Sequence, residues 1–147
     1  MRIRLVSLNH EHLLRIRFRP SDKGAVEAME SIWKAPVYQI RTWAAVDETD
    51  RPLGFGAIYS WWPGVAEGII GMSEEVLDHP LWFCRIIKGK INECMKTMNL
   101  WRIQTTVKAG MPERCRWIAR MGFKKEGLMR KYSFDKSDWY LYALVKE

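Results

Sequence analysis

Apolar and polar positions along the chain change period several times, and each change marks an element. Residues 1–7 alternate, with Ile3 and Leu5 on one side, as a strand does. Residues 11–18 carry a short helical pattern that stops before Pro20. A second helical segment covers residues 25–33, after a break at Lys23-Gly24. Residues 42–46 and 53–59 read as strands, and the polar DETDRP between them predicts a hairpin turn. Trp61-Trp62-Pro63-Gly64 predicts a break in the chain. Residues 65–72 follow as a largely apolar strand, interrupted by glycine and carrying Glu67.

The longest periodic segment comes next. Phe83, Ile87, Ile91, Cys94, Met95 and Met98 recur at helical spacing, while Arg85, Lys88, Asn92, Glu93 and Lys96 cover the other side. Asp78 stands where it can cap this helix, Pro80 suits its first turn, and Gly89 is its weak point. A strand at 102–107 ends at Lys108-Ala109-Gly110. A helix over 112–121 starts at proline and is closed by Gly122, whose lack of a Cβ permits a left-handed stop. Residues 123–132 and 139–145 predict two last strands joined by FDKSD. The order β, α, α, β, β, β, α, β, α, β, β, with short loops, predicts one α/β domain over residues 1–147. Its sheet is expected to be mixed and mainly antiparallel, flanked by helices.

Composition narrows the class. The chain has 147 residues, 48% of them hydrophobic, with 8 Trp, enough for a proper core. No apolar run approaches the ~18 residues of a membrane span, and the N-terminus has no secretory pattern, so a cytoplasmic protein is expected. Cys84, Cys94 and Cys115 lack metal spacing and read as reduced thiols. His10 and His12 have no further ligand cluster around them and read as surface or structural histidines, so no metal is expected. Net charge is +7, unevenly placed. Residues 1–73 hold 9 Lys+Arg against 8 Asp+Glu, and residues 74–147 hold 15 against 9. A basic C-terminal half suits an anionic partner, although a solvated face gives the same count. Basic and aromatic residues interleave in WRIQTTVKAGMPERCRWIARMGFKK. Yet Arg114, Trp117 and Arg120 form one side of an amphipathic helix, and no nucleic-acid recognition motif is present. Nucleic acid is therefore not the favoured partner.

Three segments carry a family resemblance: GVAEGIIGM with its following helix, VKAGMPERCRWIARMGF, and KKEGLMRKY with DWYLYALV. Together with the element order, they make the whole chain resemble the Gcn5-related N-acetyltransferase (GNAT) family. The branch it looks most like is the small GNAT-like proteins of tailed phages and prophages. The resemblance implies acetyl-CoA as cofactor and transfer of an acetyl group to an amine, by direct attack, on a small molecule or a protein. It places Glu67 as the base that removes the amine proton, directly or through water. It gives the backbone of Ile70, Met72 and Ser73 to the pantetheine arm. Helix N-terminal amides from His79 to Trp82, with Arg85, Lys108 and Arg114, are left for the phosphates. Trp61 and Trp62 are expected either to line the acceptor site or to be core or interface aromatics.

The chain also departs from the family. Where a Gln/Arg-x-x-Gly-x-Gly/Ala loop usually holds the diphosphate, it reads SEEVLDHP, without glycine and with Glu74, Glu75 and Asp78. Arg85 and Gly89 echo that motif only inside the helix. The usual Tyr four residues before the Gly-Phe glycine is Ile118; Cys115 and Tyr132 are candidate substitutes, with packing in the core the favoured expectation for each. The usual Asn before the last core helix is Met111. These departures support an alternative: a non-catalytic GNAT-fold protein working in a homo-oligomer or phage assembly, in the host cytoplasm or the virion.

Overall fold

The computed structural model describes residues 2–147. Its strands are β1 (Arg4–Val6), β2 (Gln39–Val46), β3 (Pro52–Trp62), β4 (Val65–Met72), β5 (Arg102–Lys108), β6 (Lys124–Met129) and β7 (Trp139–Val145). Its helices are α1 (His10–Arg15), α2 (Ala25–Lys34), α3 (Pro80–Thr97) and α4 (Pro112–Arg120), with 3₁₀ turns at Pro20–Asp22 and Glu74–Asp78. The strands form one seven-stranded sheet in the order β1-β2-β3-β4-β5-β7-β6. Every neighbouring pair is antiparallel except β4 and β5. The expected order of strands and helices is the order found. Among the described residues, no helix is long and apolar enough to cross a membrane.

Boundaries moved for local reasons. Of the strand expected over residues 1–7, only Arg4–Val6 pairs, and Met1 lies outside the described residues. The first helix starts earlier than its apolar spacing suggests, because Asn9 caps it. The Asn9 side chain accepts from the His12 amide at 2.9 Å, and the His12 ring bonds back to the Asn9 amide at 3.1 Å. His12 thus fills the place a Glu takes in a capping box. The break expected at residues 61–64 is confined to Pro63-Gly64. β3 continues through both tryptophans, with a bulge between Ser60 and Trp62 that absorbs the irregularity. The strand expected over 123–132 stops at Met129, before Lys131, which sits at φ 52°. Gly122, at φ +98°, closes α4 as its position predicts.

Alternation along the strands sorts side chains into two layers. Phe55, Ala57 and Tyr59 of β3 pack under Leu13 of α1 and Met29 and Ile32 of α2. Ile58 faces the other way, toward Ile91, Cys94 and Met98 along α3 and Ile118 of α4. Met29 and Leu13 are fully buried, each contributing about 1.5–3 kcal/mol of transfer free energy. Gly71 lets this packing reach the sheet, since a Cβ there would come within 2.9 Å of Phe55, Phe18 and Ala25.

The one parallel pairing is short. β4 and β5 pair only at Val65–Arg102, Ala66–Ile103 and Glu67–Gln104. The Thr105 hydroxyl then takes the Gly68 carbonyl at 3.0 Å in place of the ladder. Beyond that point the strands part, and a gap opens in the middle of the sheet.

Candidate active site in the gap between β4 and β5

The gap exposes one edge of β4. The Ser73 amide donates to the Leu53 carbonyl at 2.8 Å, which places residues 69, 71 and 73 in hydrogen-bonded pairs with β3. Antiparallel alternation then turns the backbone groups of Gly68, Ile70 and Met72 toward the gap. Thr105 takes Gly68. Met72 is taken twice: its amide donates to Asp22 Oδ2 at 3.1 Å, and its carbonyl accepts from the Arg19 amide at 3.0 Å. Among the described residues, Ile70 alone keeps both groups unpaired on this edge. Of the three residues expected to offer backbone here, Ile70 can, while Met72 has both groups engaged and Ser73 its amide.

The segment that engages Met72 is held by an ionic clasp. Asp22 is 6% exposed. Its Oδ2 accepts from Arg19 Nε and Nη2 at 3.1 and 2.8 Å, and its Oδ1 accepts from Arg114 Nη2 at 2.5 Å. Arg114 also donates to the Ser21 hydroxyl at 2.6 Å. The clasp ties the 3₁₀ turn to β4 and to α4 across the gap. Arg114, expected among the phosphate partners, is committed to it.

At the closed end of the gap stands Glu67. Ala66 packs into the α3 and α4 layer, so Glu67 emerges on the opposite face, half-buried. The Tyr59 phenol donates to its Oε2 at 2.9 Å, and Gln104 Nε2 donates to its Oε1 at 3.2 Å. Burial, followed by the Glu67 charge, pushes the Tyr59 phenol far up, so it remains a donor. Trp61 meets Tyr59 edge-on, with ring centroids 6.0 Å apart, and is 42% exposed. Trp62 pairs with Val65 at the hairpin end and is exposed, and among the described residues no aromatic contact ties it to this group. Trp61 thus sits against Tyr59, the donor to Glu67, and Trp62 does not.

At the open end, a cavity of about 330 Å³ is lined by Arg17, Phe18, Pro20, Ser73, Glu74 and Glu75 among others. Ser73 is buried, and among the described residues its hydroxyl has no partner. Glu75 is paired to Arg51 at 2.6 and 2.8 Å, which holds its carboxyl below the usual carboxylate range. His79 precedes α3, and its carbonyl accepts the Phe83 amide. Among the described residues, the Leu81 and Trp82 amides of that first turn find no acceptor. Arg85 on α3 and Lys108 at the end of β5 are exposed and unpaired within the same residues.

Of the substitutes considered for the missing Tyr, Tyr132 lies near enough to Tyr59 for its charge to bear on that phenol, while Cys115 lies away from Glu67. Ile118 is core. Burial, then the Cys115 thiol against it, pushes the Tyr142 phenol up to about 12, so Cys115 faces the α4 layer. Tyr132 is exposed, 6.3 Å from the Trp139 ring. Two members of the site were not read from the sequence. Tyr59 was legible from the hairpin, since counting back from Pro63-Gly64 sets it opposite Glu67 once the bulge is allowed for. Gln104 was not, because its register is set by the α3 crossover.

Comparison with solved structures places this geometry. A variant of the spermidine N-acetyltransferase of Vibrio cholerae superposes with a TM-score of 0.72 at 14% identity, covering 97% of this chain and 93% of that one. A proposed phosphinothricin N-acetyltransferase superposes at 0.78 with 11% identity, covering 99% of both chains. A dodecameric form of the Vibrio cholerae enzyme matches at 0.71 and 14%, over 98% and 94%. The fold is the GNAT fold. No protein-family model and no curated protein sequence matches the chain. In the GNAT fold found here, the parted strands are β4 and β5, and the acidic SEEVLDHP segment forms the turn that leads from the gap into α3.

Proposed function

We propose that the chain is an acyl-CoA-dependent N-acetyltransferase that moves an acetyl group to an amine by direct attack. One observation carries this reading: a hydrogen-bonded carboxylate, Glu67, and an unpaired backbone amide and carbonyl, Ile70, share one strand at the edge of the gap. The likeness in fold to N-acetyltransferases supports it. The chain's groups suit the cofactor. Ile70 offers one strand-like pair of bonds to an amide-bearing arm. The unpartnered Ser73 hydroxyl and the Leu81 and Trp82 amides offer donors to a diphosphate, with Arg85 and Lys108 as unpaired cations. Bound there, acyl-CoA supplies the thioester carbonyl that the amine attacks.

Glu67 takes the proton of the incoming amine, leaving the nitrogen lone pair free to bond carbon. Tyr59 stays protonated and holds the carboxylate in place. Trp61 gives the acceptor an aromatic wall beside it. Assembly into a homo-oligomer, and the resemblance to phage proteins, belong to the same reading. The dodecameric neighbour supports the first, and the sequence resemblance the second.

The test is titration calorimetry with acetyl-CoA, with CoA as control. Micromolar binding is expected. Given an acceptor, Glu67→Gln lowers kcat about 100-fold or more and leaves the acetyl-CoA Kd unchanged. Full activity in Glu67→Gln removes the base assignment. No binding at millimolar cofactor removes the enzyme, and leaves a GNAT-fold protein that binds other proteins.

A further inference from the structure

A glutamine amide can usually turn over and offer either its oxygen or its nitrogen. Gln104 has no such choice. Its Oε1 lies 2.9 Å from Arg102 Nε, and a guanidinium can only donate. With the oxygen committed to accepting, Nε2 must donate, and it donates to Glu67. Arg102 is fixed in its turn. Glu126 takes both its terminal nitrogens, at 3.0 and 2.5 Å, in the forked geometry that suits a planar guanidinium. The Arg102 side chain is 22% exposed and that of Glu126 is 39%. One directed chain of bonds therefore crosses the sheet from Glu126 on β6, through Arg102 and Gln104 on β5, to Glu67 on β4. Tyr59 on β3 closes it from the far side.

We infer that Gln104 is a positioning residue for Glu67: anchored by Glu126 through Arg102, it fixes the plane of the carboxylate that takes the amine proton. The inference rests on the N-acetyltransferase reading. In the step it serves, an N–H bond of the acceptor breaks, an O–H bond forms on Glu67, and the nitrogen keeps the electron pair. That pair bonds the acyl carbon as the C–S bond of the thioester breaks, and the C–S electron pair leaves with the CoA sulfur as thiolate. Both carboxylate oxygens already accept one bond, from Tyr59 and from Gln104. The direction of the remaining lone pairs is therefore set before the amine arrives. Without Gln104 the carboxylate pivots about its bond to Tyr59, and its reach toward the amine varies.

A role only in tying strands together predicts something different, and a mutant cycle separates the two. The probe is acetyl-CoA with a panel of primary amines, with CoA thiol release as the readout. Gln104→Leu is expected to lower kcat about tenfold, a fraction of the effect of losing the base itself, with the acetyl-CoA Kd unchanged. In Glu67→Gln/Gln104→Leu, kcat is expected to equal that of Glu67→Gln alone, because Gln104 acts only through Glu67. Glu126→Ala changes a more exposed residue and gives a smaller fall with the same non-additivity, so the idea stays testable if Gln104→Leu folds poorly. A second readout needs no turnover. In a proton–nitrogen spectrum the Gln104 side-chain amide is assigned by its loss in Gln104→Leu. Its signals should move in both Glu67→Gln and Glu126→Ala. An active wild type with additive variants, or with amide signals that stay put, overturns the positioning role and leaves the acetyltransferase standing. A wild type that acetylates no amine overturns the acetyltransferase reading, and the positioning role falls with it.

Discussion

Replacing Asp22 by alanine tests how the open end of the gap is held. The carboxylate is 6% exposed and accepts four hydrogen bonds: two from Arg19, one from Arg114 and one from the Met72 amide. Alanine leaves the Met72 amide buried and unpaired, which costs about 1–3 kcal/mol. It also strips two guanidiniums of their counter-charge. Breaking a buried ion pair costs about 3–5 kcal/mol, but that figure assumes the partner stays dry. The Arg19 and Arg114 side chains are 16% and 28% exposed, so both regain water by small movements. The sum is a loss of about 3 kcal/mol, with the amide as its firmest part. Urea denaturation should show it as a lower midpoint at unchanged slope. Melting should fall by about 6–12 °C, at ~2–4 °C per kcal/mol for a chain of this size. Asp22→Asn keeps an acceptor for Met72 while removing the charge, so it should cost roughly half as much. A loss below about 1 kcal/mol in Asp22→Ala would refute the reasoning, as would equal losses in the two variants, since the amide would then carry no share.

Two further tests concern groups away from the gap. The Thr49 hydroxyl, the Arg51 and Thr49 amides and the Arg51 guanidinium hold the Asp47 carboxyl well below the usual range. A depressed folded-state value stabilises the protein above the unfolded value of about 3.9, and that stability is lost as pH falls through the folded value. Urea midpoints should therefore drop as pH falls below about 4, and Asp47→Asn should flatten the slope; an equal slope in the variant refutes the assignment. Burial pushes the Cys94 thiol up to about 11, and the residue is 1% exposed. Iodoacetamide at pH 8 should label Cys84 and Cys115, which are half-buried, well before Cys94. Peptide mass spectrometry reads the order, and equal rates refute it.

What the sequence disclosed follows from how local each determinant is. The period of α3 and the glycine after α4 are written in neighbouring residues, and both elements appear there, although α3 is not capped by Asp78: that residue ends the 3₁₀ turn, and His79 stands at the cap without a side-chain bond. The extent of β3 was misread because Trp-Trp-Pro-Gly looks like one turn. A bulge keeps the tryptophans in the strand, and a bulge leaves no composition of its own. Glu67 could be nominated because the family resemblance covers its strand, and Trp61 because it stands beside the same hairpin. Gln104 could not, since a parallel register depends on how a whole crossover helix seats on the sheet. Asp22 is the hardest case. Within PSDKG it looks like an ordinary turn residue, yet its main-chain partner is Met72, 50 positions away. Its burial shows only after the strands have parted and left an edge that needs capping.

The acidic turn before α3 also changes meaning in three dimensions. Read along the chain, Glu74, Glu75 and Asp78 make three charges that repel a diphosphate. In the fold, Glu75 is neutralised by Arg51, and the positive charge of Arg17 also bears on it. Glu74 and Asp78 are exposed, where salt screens a charge within about 8 Å. The charge argument against an anion is therefore weaker than the sequence makes it. The argument from backbone is stronger. A glycine loop can turn several bare amides toward one anion. Here Pro80 has no amide, the Ser73 and His79 amides are spent on Leu53 and Val76, and among the described residues the Glu74, Glu75, Leu81 and Trp82 amides remain without an acceptor. The number of donors that converge, more than the sign of the nearby charges, decides how tightly this turn can hold a diphosphate.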